Sequence, residues 1–462
     1  MTDESTPWMR LLRELFGDDA EAALEEMKRM GVDPDQLAAT SGLAANPAMM
    51  DHVLRQMRAL VTQSDGEDVN WKLAHDVARG VAAQGGDPTV TAAQANAHRA
   101  AVSRAELWLD AVTSFDPARL QPRVWSRAEW VEATLPTWKT LAGPVAVSVS
   151  KALSGILGDA PLPDDLPGDL PGGLPEGLDA PGGFDPRALL RTVSPTVCGM
   201  HMGQAAGEMA RQAFGGTDLG IPLLSEPRVA LLPRAVAEFA EGLEIDEDDV
   251  RSYLALREAA HVRLFGAAPW LPGQLHALIG RYASGITIDL EALEEAVRDA
   301  GFGDPEKLQQ ALNRGIFASH HTDEQKETLE RIETLLALIE GWVDDVTVRA
   351  AAPHLPQIGP MREMMRRRRA AGGPAEDTFA NLLDLELRPR RMRDASALWA
   401  ALAAQAGPED RDAVWSHPDL LPTSQDLDDW RGWVDRRVAG EPADDVDREL
   451  ERLLRGDAPD ES

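Results

Sequence analysis

The stretch from Asp246 to Phe265 sets the strongest constraint on how this chain can fold. Asp246, Glu247, Asp248 and Asp249 make an acidic first turn that suits the positive end of a helix dipole. Val250, Leu254, Arg257, His261 and Leu264 follow at steps of three and four, which places them on one helical stripe. Gly266 and Pro269 end the helix. The ends of the stripe are apolar and face a core, yet Arg257 and His261 lie on it and Glu258 lies beside it. Burying unpaired charge is costly, so the fold must supply counter-ions, hydrogen bonds or a metal at this point. Glu258 and His261 stand at i and i+3, close enough to converge on one site. Read from the residues alone, a structural ion-pair cluster outweighs a ligand site, because Glu-x-x-His arises by chance in many helices.

A second helix offers partners. Thr322-Asp323-Glu324-Gln325 has capping-box spacing. Leu329, Ile332, Leu336, Ile339, Val343 and Val346 then form an apolar stripe, with Glu340 and Asp344 on its border one turn apart.

The rest of the chain reads as helical. Residues 5 to about 60 are short helices separated by turns, and 90 to 157 form a longer helical block in which Trp108, Trp125, Trp130 and Trp138 act as packing aromatics. Residues 158–184 carry Pro or Gly at nearly every other step, which excludes a helix or central strand and marks a linker or surface loop. The expected division is therefore a helical N-terminal region (1–157), that Pro/Gly-rich segment (158–184), a helical domain (185–440) and an acidic tail (441–462). Gly199, Gly203 and Gly207 recur every fourth residue and form a bare ridge for close packing, with Cys198 as a small packing residue beside it. Strand signals are few: Val229–Leu232 and Ile286–Ile288 are the best candidates, which leaves room for a small β-sheet in a mainly α fold.

A formal charge of −31 repels phosphate backbones and anionic lipid, which argues against nucleic acid or membrane as partners. The run Arg366 to Arg369 is a local exception, read as a solvated helix face rather than an anion site. One cysteine precludes a disulfide within the chain and a Cys-based zinc site. Met1 to Trp8 lacks a secretory pattern and no long uncharged apolar run is present, so the expected compartment is the cytoplasm.

Three stretches, GMHMGQAAGEMA (199–210), YLALREAAHVRLFGAAPWL (253–271) and LLALIEGWVDDV (335–346), resemble a bacterial zincin-like family of zinc-dependent metalloproteases or hydrolases. One branch of that family is associated with coenzyme F420 biosynthesis genes. The resemblance continues in RRRRAAGGPAEDTFANLLDLELRPRRMRDASALWAAL and HPDLLPTSQDLDD, and covers most of the chain from about 185 to 430. It implies a zincin-like metalloprotease fold, a zinc cofactor and a peptide or protein substrate. Relatives with an intact site carry His-Glu-x-x-His on the first helix and Glu-Gly-His on the second. By that match Glu258 is the catalytic base, His261 a metal ligand and Glu340 the downstream acidic ligand. Asp344 would orient a ligand from behind. Arg257 replaces the first histidine and Trp342 the histidine after Glu-Gly.

Arginine does not deprotonate to bind metal, and a catalytic zinc takes three protein ligands plus water. His201, His320, His321 and His354 are ligands by type only, each better read as a surface or structural histidine. The expected alternative is an ion pair of Arg257 with Glu340 or Asp344, bidentate geometry favoured. Two functions stay open: a hydrolase with a degenerate metal motif, or a zincin-like pseudoenzyme that binds or scaffolds. A small-molecule hydrolase without metal lacks support, since no Gly-x-Ser-x-Gly is present.

Overall fold

A computed structural model describes residues 69–159, 186–243, 245–285, 322–371 and 391–439. The expectations for residues 5 to 60, for the strand at 286–288, for His320 and His321, and for the acidic tail lie outside these residues. Within them the fold is mainly α with one small sheet.

In chain order the elements are α1 (Trp71–Ala82), α2 (Ala92–Leu109), β1 (Arg123–Val124), α3 (Arg127–Asp159), α4 (Pro186–Gln212), β2 (Ala230–Leu231), α5 (Pro233–Glu241), α6 (Glu247–Ala267) and α7 (Trp270–Ser284). They continue with α8 (Asp323–Ala351), α9 (Ile358–Ala371), α10 (Met392–Ala406), α11 (Pro408–Ala413), two single turns of 3-10 helix, α12 (Ser424–Asp428) and α13 (Trp430–Ala439). Short polar caps fix the starts: Thr91 with Gln94 and Thr322 with Gln325 close reciprocal capping boxes, and Asp246 accepts from the Asp248 amide.

Helices α6 and α8 are the central pair, buried along almost their whole length. Around them α2 packs on α6, α7 on α8 and α3, and α10 on α8, while α9 crosses both central helices. One hydrophobic cluster runs from Val69 to Val434 and includes Trp130 and Trp138, with Trp108 and Trp125 packed at its margin. The aromatics therefore fill the core, as their placement in a helical block implied.

The glycine ridge lies on α4 and faces α1. A Cβ at Gly199 would run into the Asn70 carbonyl, one at Gly203 into the Ala74 carbonyl, and one at Gly207 would lie 2.7 Å from the Ala78 oxygen. Backbone-to-backbone approach is what the spacing gains. Cys198 is buried beside it.

The predicted strand at 229–232 narrows to Ala230–Leu231, paired in parallel with Arg123–Val124. This short sheet sits against α6 and turns backbone groups toward Glu258, so its role is local.

Candidate functional site

Three helices bring three polar stripes together. Helix α6 contributes Tyr253, Arg257 and His261 at successive turns, and α8 contributes Glu340 and Asp344. Helix α9 contributes Arg362, Arg366 and Arg369 at the same kind of spacing. All three stripes lie at the α6–α8 interface beneath α9.

Glu340 is the hub. It is 0% exposed, and Arg257 Nη2 donates to its Oε2 at 2.6 Å. Its Oε1 faces His261 Nε2 at 3.1 Å and accepts from Arg369 Nη2 at 3.2 Å. Burial alone would raise the carboxyl pKa, but Arg369, Arg257 and His261 outweigh it and hold the group well below the usual carboxylate range. Burial likewise opposes the charge of Arg257, and Glu340, then Tyr253, outweigh it, so the guanidinium pKa is raised.

The expected Arg257–carboxylate pair is present, and Glu340 is the partner. The pairing is not bidentate, because the second oxygen of Glu340 is already shared by His261 and Arg369. Asp344 has other partners. It takes Arg362 through Nε and Nη2, Arg366 through Nη2 at 2.6 Å, and the Ser396 hydroxyl at 2.7 Å. Its pKa is lowered: burial raises it, and Arg362 and Arg366 more than reverse that.

The arginine run therefore departs from its expected solvated role. Arg366 and Arg369 turn inward onto Asp344 and Glu340, and Arg368 donates to the Gln212 carbonyl and lies over the Phe214 ring. Only Arg367, paired with Glu363, keeps the exposed character of a solvated face. Two buried carboxylates on α8 draw the cations of α9 inward.

Glu258 and His261 take different hydrogen-bond partners. Glu258 accepts from the Gly216 amide at 2.8 Å, from Thr217 Oγ1 at 2.5 Å and from the Ala230 amide at 3.3 Å. Burial, the largest effect, raises its pKa despite these donors. The loop that supplies them is pinned by Trp130 Nε1, which donates to the Gly215 carbonyl at 2.8 Å. A side chain at Gly215 would strike the Glu258 carboxyl, so glycine is needed there.

A cleft of about 380 Å³ opens beside this loop, lined in part by Thr137, Gly216, Thr217, Val262, Phe265 and His276. Val262 and Phe265 follow Glu258 on α6, so the cleft runs along the same helix. Burial lowers the pKa of His276, whose Nε2 lies 3.3 Å from the Pro222 carbonyl.

The residues do not suit a zinc ion. Arg257 has no lone pair to give. His261 Nδ1 donates to the Arg257 carbonyl at 2.9 Å, while Nε2 points at the Glu340 carboxylate, so both ring nitrogens face acceptors. Trp342 is buried and donates to Asp412 Oδ1 at 2.9 Å, a packing and hydrogen-bonding role. Among the described residues no three His, Cys, Asp or Glu side chains gather as metal ligands. His354 stacks on Trp108, and His201 lies on α4.

A family model described as zincin-like metallopeptidase matches residues 69–434. No curated protein matches the chain. Among solved structures, a candidate hydrolase with a novel fold from Chloroflexus aurantiacus aligns with a TM-score of 0.54 and 18% identity. The alignment covers 80% of this chain and 99% of that one. At that identity the likeness speaks to the fold alone. No described helix is long and apolar enough to cross a membrane.

Proposed function

Because the chain belongs to the zincin-like metallopeptidase family, we propose that it keeps the family scaffold and cleft and binds peptide segments there without a metal. The observation that carries this reading is the saturation of Glu340 by Arg257, Arg369 and His261. A guanidinium stands where the first histidine of an intact motif would be, and supplies the positive charge that a metal would supply. Glu258 serves as a strut. Two of its three donors, Gly216 and Thr217, come from the loop that walls the cleft, and the third, Ala230, from β2, so it fixes the shape of the binding surface. Val262 and Phe265 give that surface its apolar floor, and His276, uncharged under burial, adds a polar group at its edge.

The test is metal analysis of protein purified from zinc-replete cells, together with a peptide-array binding and turnover assay. The expected result is far less than one zinc per chain and captured peptides that stay intact. About one zinc per chain, the stoichiometry of a catalytic site, or release of cleaved products, would overturn it.

One observation favours the second reading, a peptide hydrolase: the cleft borders the Gly216–Thr217 turn that holds Glu258. There Glu258 would act as a general base, and Glu258→Gln would abolish turnover in the same assay.

A further inference from the structure

The polar side chains of the cleft beside Glu258 have already spent their protons. Thr137 Oγ1 donates to the Leu223 carbonyl at 2.8 Å, Thr140 Oγ1 to the Pro136 carbonyl at 3.3 Å, and Thr217 Oγ1 to Glu258 at 2.5 Å. A hydroxyl carries one hydrogen, so each of these meets a ligand as an acceptor. His276 is in the same condition. The Pro222 carbonyl, 3.3 Å from Nε2, can only accept, so Nε2 holds the ring hydrogen. Burial disfavours the imidazolium, so the ring carries that one hydrogen alone. Nδ1 then keeps its lone pair. It has no partner among the described residues, and solvent reaches it.

The cation at the mouth is committed as well. Arg228 Nη1 donates to the Gln121 carbonyl at 3.3 Å, and Nη2 lies 3.5 Å from Glu226. Among the lining side chains, Ser225 alone keeps a free hydroxyl proton, and it is exposed at the rim. The remaining wall is apolar, made by Leu224, Val262, Phe265 and prolines. A carboxylate entering here would lose its water and find few donors. An ammonium or guanidinium would leave its charge against apolar walls. A large neutral side chain with an N–H of its own matches both features of the site.

We propose that the occupant is a tryptophan side chain of a peptide, its indole N–H donating to His276 Nδ1 while its rings pack on Val262 and Phe265. This rests on the peptide-binding reading and names what that cleft selects. A volume of about 380 Å³ falls within the range of pockets that enclose small ligands. His276 is thereby the specificity-determining residue.

The experiment uses the full chain and capped pentapeptides that differ only at the central residue, with alanine elsewhere. That residue is tryptophan, 3-benzothienylalanine, lysine or glutamate, and binding is followed by saturation-transfer difference NMR. Benzothienylalanine has the shape of tryptophan with sulfur in place of the N–H. Tryptophan should bind about two- to tenfold more tightly than this analogue, the worth of one net hydrogen bond. Lysine and glutamate should bind more weakly still. In His276→Phe the advantage of tryptophan over its analogue should vanish, and the wild-type comparison stands by itself if that variant fails to fold. Equal affinity for the two aromatic peptides, tighter binding of lysine or glutamate, or an unchanged advantage in His276→Phe would overturn the proposal and leave the peptide-binding reading in place. If none of the four binds while the array captures other peptides, this proposal alone falls. An array that captures nothing removes both.

Discussion

Replacing Glu340 with glutamine should be among the most damaging isosteric changes available to this chain. The substitution keeps shape and volume and removes one negative charge. It leaves Arg257 and Arg369, with side chains 7% and 3% exposed, facing a neutral amide whose NH₂ end repels one of them. Removing one partner of a buried pair costs about 3–5 kcal/mol, because the other charge stays desolvated. Each 1.4 kcal/mol is about tenfold in the folding equilibrium, so the loss spans roughly two to three and a half powers of ten. Urea unfolding at neutral pH measures it as a lower midpoint at unchanged slope. A cycle with Arg257→Met separates the pair from its surroundings. The double variant should be less destabilised than the two singles added together, by about 0.5–3 kcal/mol. The depressed pKa of Glu340 fixes the pH dependence. Its contribution is complete above the unfolded carboxylate value of about 4.3 and is lost as pH falls through the lower folded value. The gap between wild type and Glu340→Gln should therefore narrow in acid. A midpoint within about 1 kcal/mol of wild type at neutral pH, or strict additivity in the cycle, would refute the argument.

Other substitutions test neighbouring parts of the same reasoning. Arg257→His restores an imidazole beside His261 and Glu340, so dialysis against zinc should load about one metal per chain; a folded variant that takes up none would show that position 257 does not face a metal-sized space. Glu258 has a raised pKa, the opposite sign to Glu340, so its effect on stability is most favourable below the unfolded value and diminishes as pH rises toward the folded one. Glu258→Gln, which can still accept from Gly216 and Ala230, should flatten that part of the pH–stability profile, and an unchanged profile would contradict it. Gly203→Val must push a side chain into the Ala74 carbonyl and Val77; overpacking of this kind costs about 1–3 kcal/mol or more, and a melting temperature equal to wild type would mean that α1 and α4 are not in contact in solution.

What could be read in advance was what is local. The limits of α6 and α8 follow from caps and three-to-four spacing, and the structure places their starts at Asp246 and Thr322 as those signals require. That Arg257 would meet a carboxylate of α8 was legible because a charged group on an apolar stripe demands a partner; the spacing leaves Glu340 and Asp344 both open, and the structure pairs it with Glu340. The glycine ridge was legible for the converse reason, since three missing side chains in register invite another backbone. Two features were not legible. The donors to Glu258 are largely backbone amides, from Gly216 and Ala230, and any residue type but proline carries an amide. The inward turn of Arg366 and Arg369 was hidden by their neighbours, because a run of four arginines looks like a solvated face. The signal lay in spacing: Arg362, Arg366 and Arg369 fall on one side of α9, as Glu340 and Asp344 do on α8.

These placements explain how a metallopeptidase scaffold tolerates Arg257. In a metal-bound site the ligands are drawn together by a cation that must be captured from solution, so folding and metal binding are coupled. Here the carboxylates of α8 would repel each other and resist burial if left alone. The chain meets that demand with cations of its own, one from α6 and three from α9, each tethered to a helix that packs at the interface. Guanidinium groups do not lose their protons in the physiological range, so the clamp cannot be stripped by a chelator. Its weak point is the protonation of Glu340 and Asp344. On the proposed metal-free reading, Arg257 thus exchanges a dependence on metal for a sensitivity to acid, with the α6–α8 contact in place.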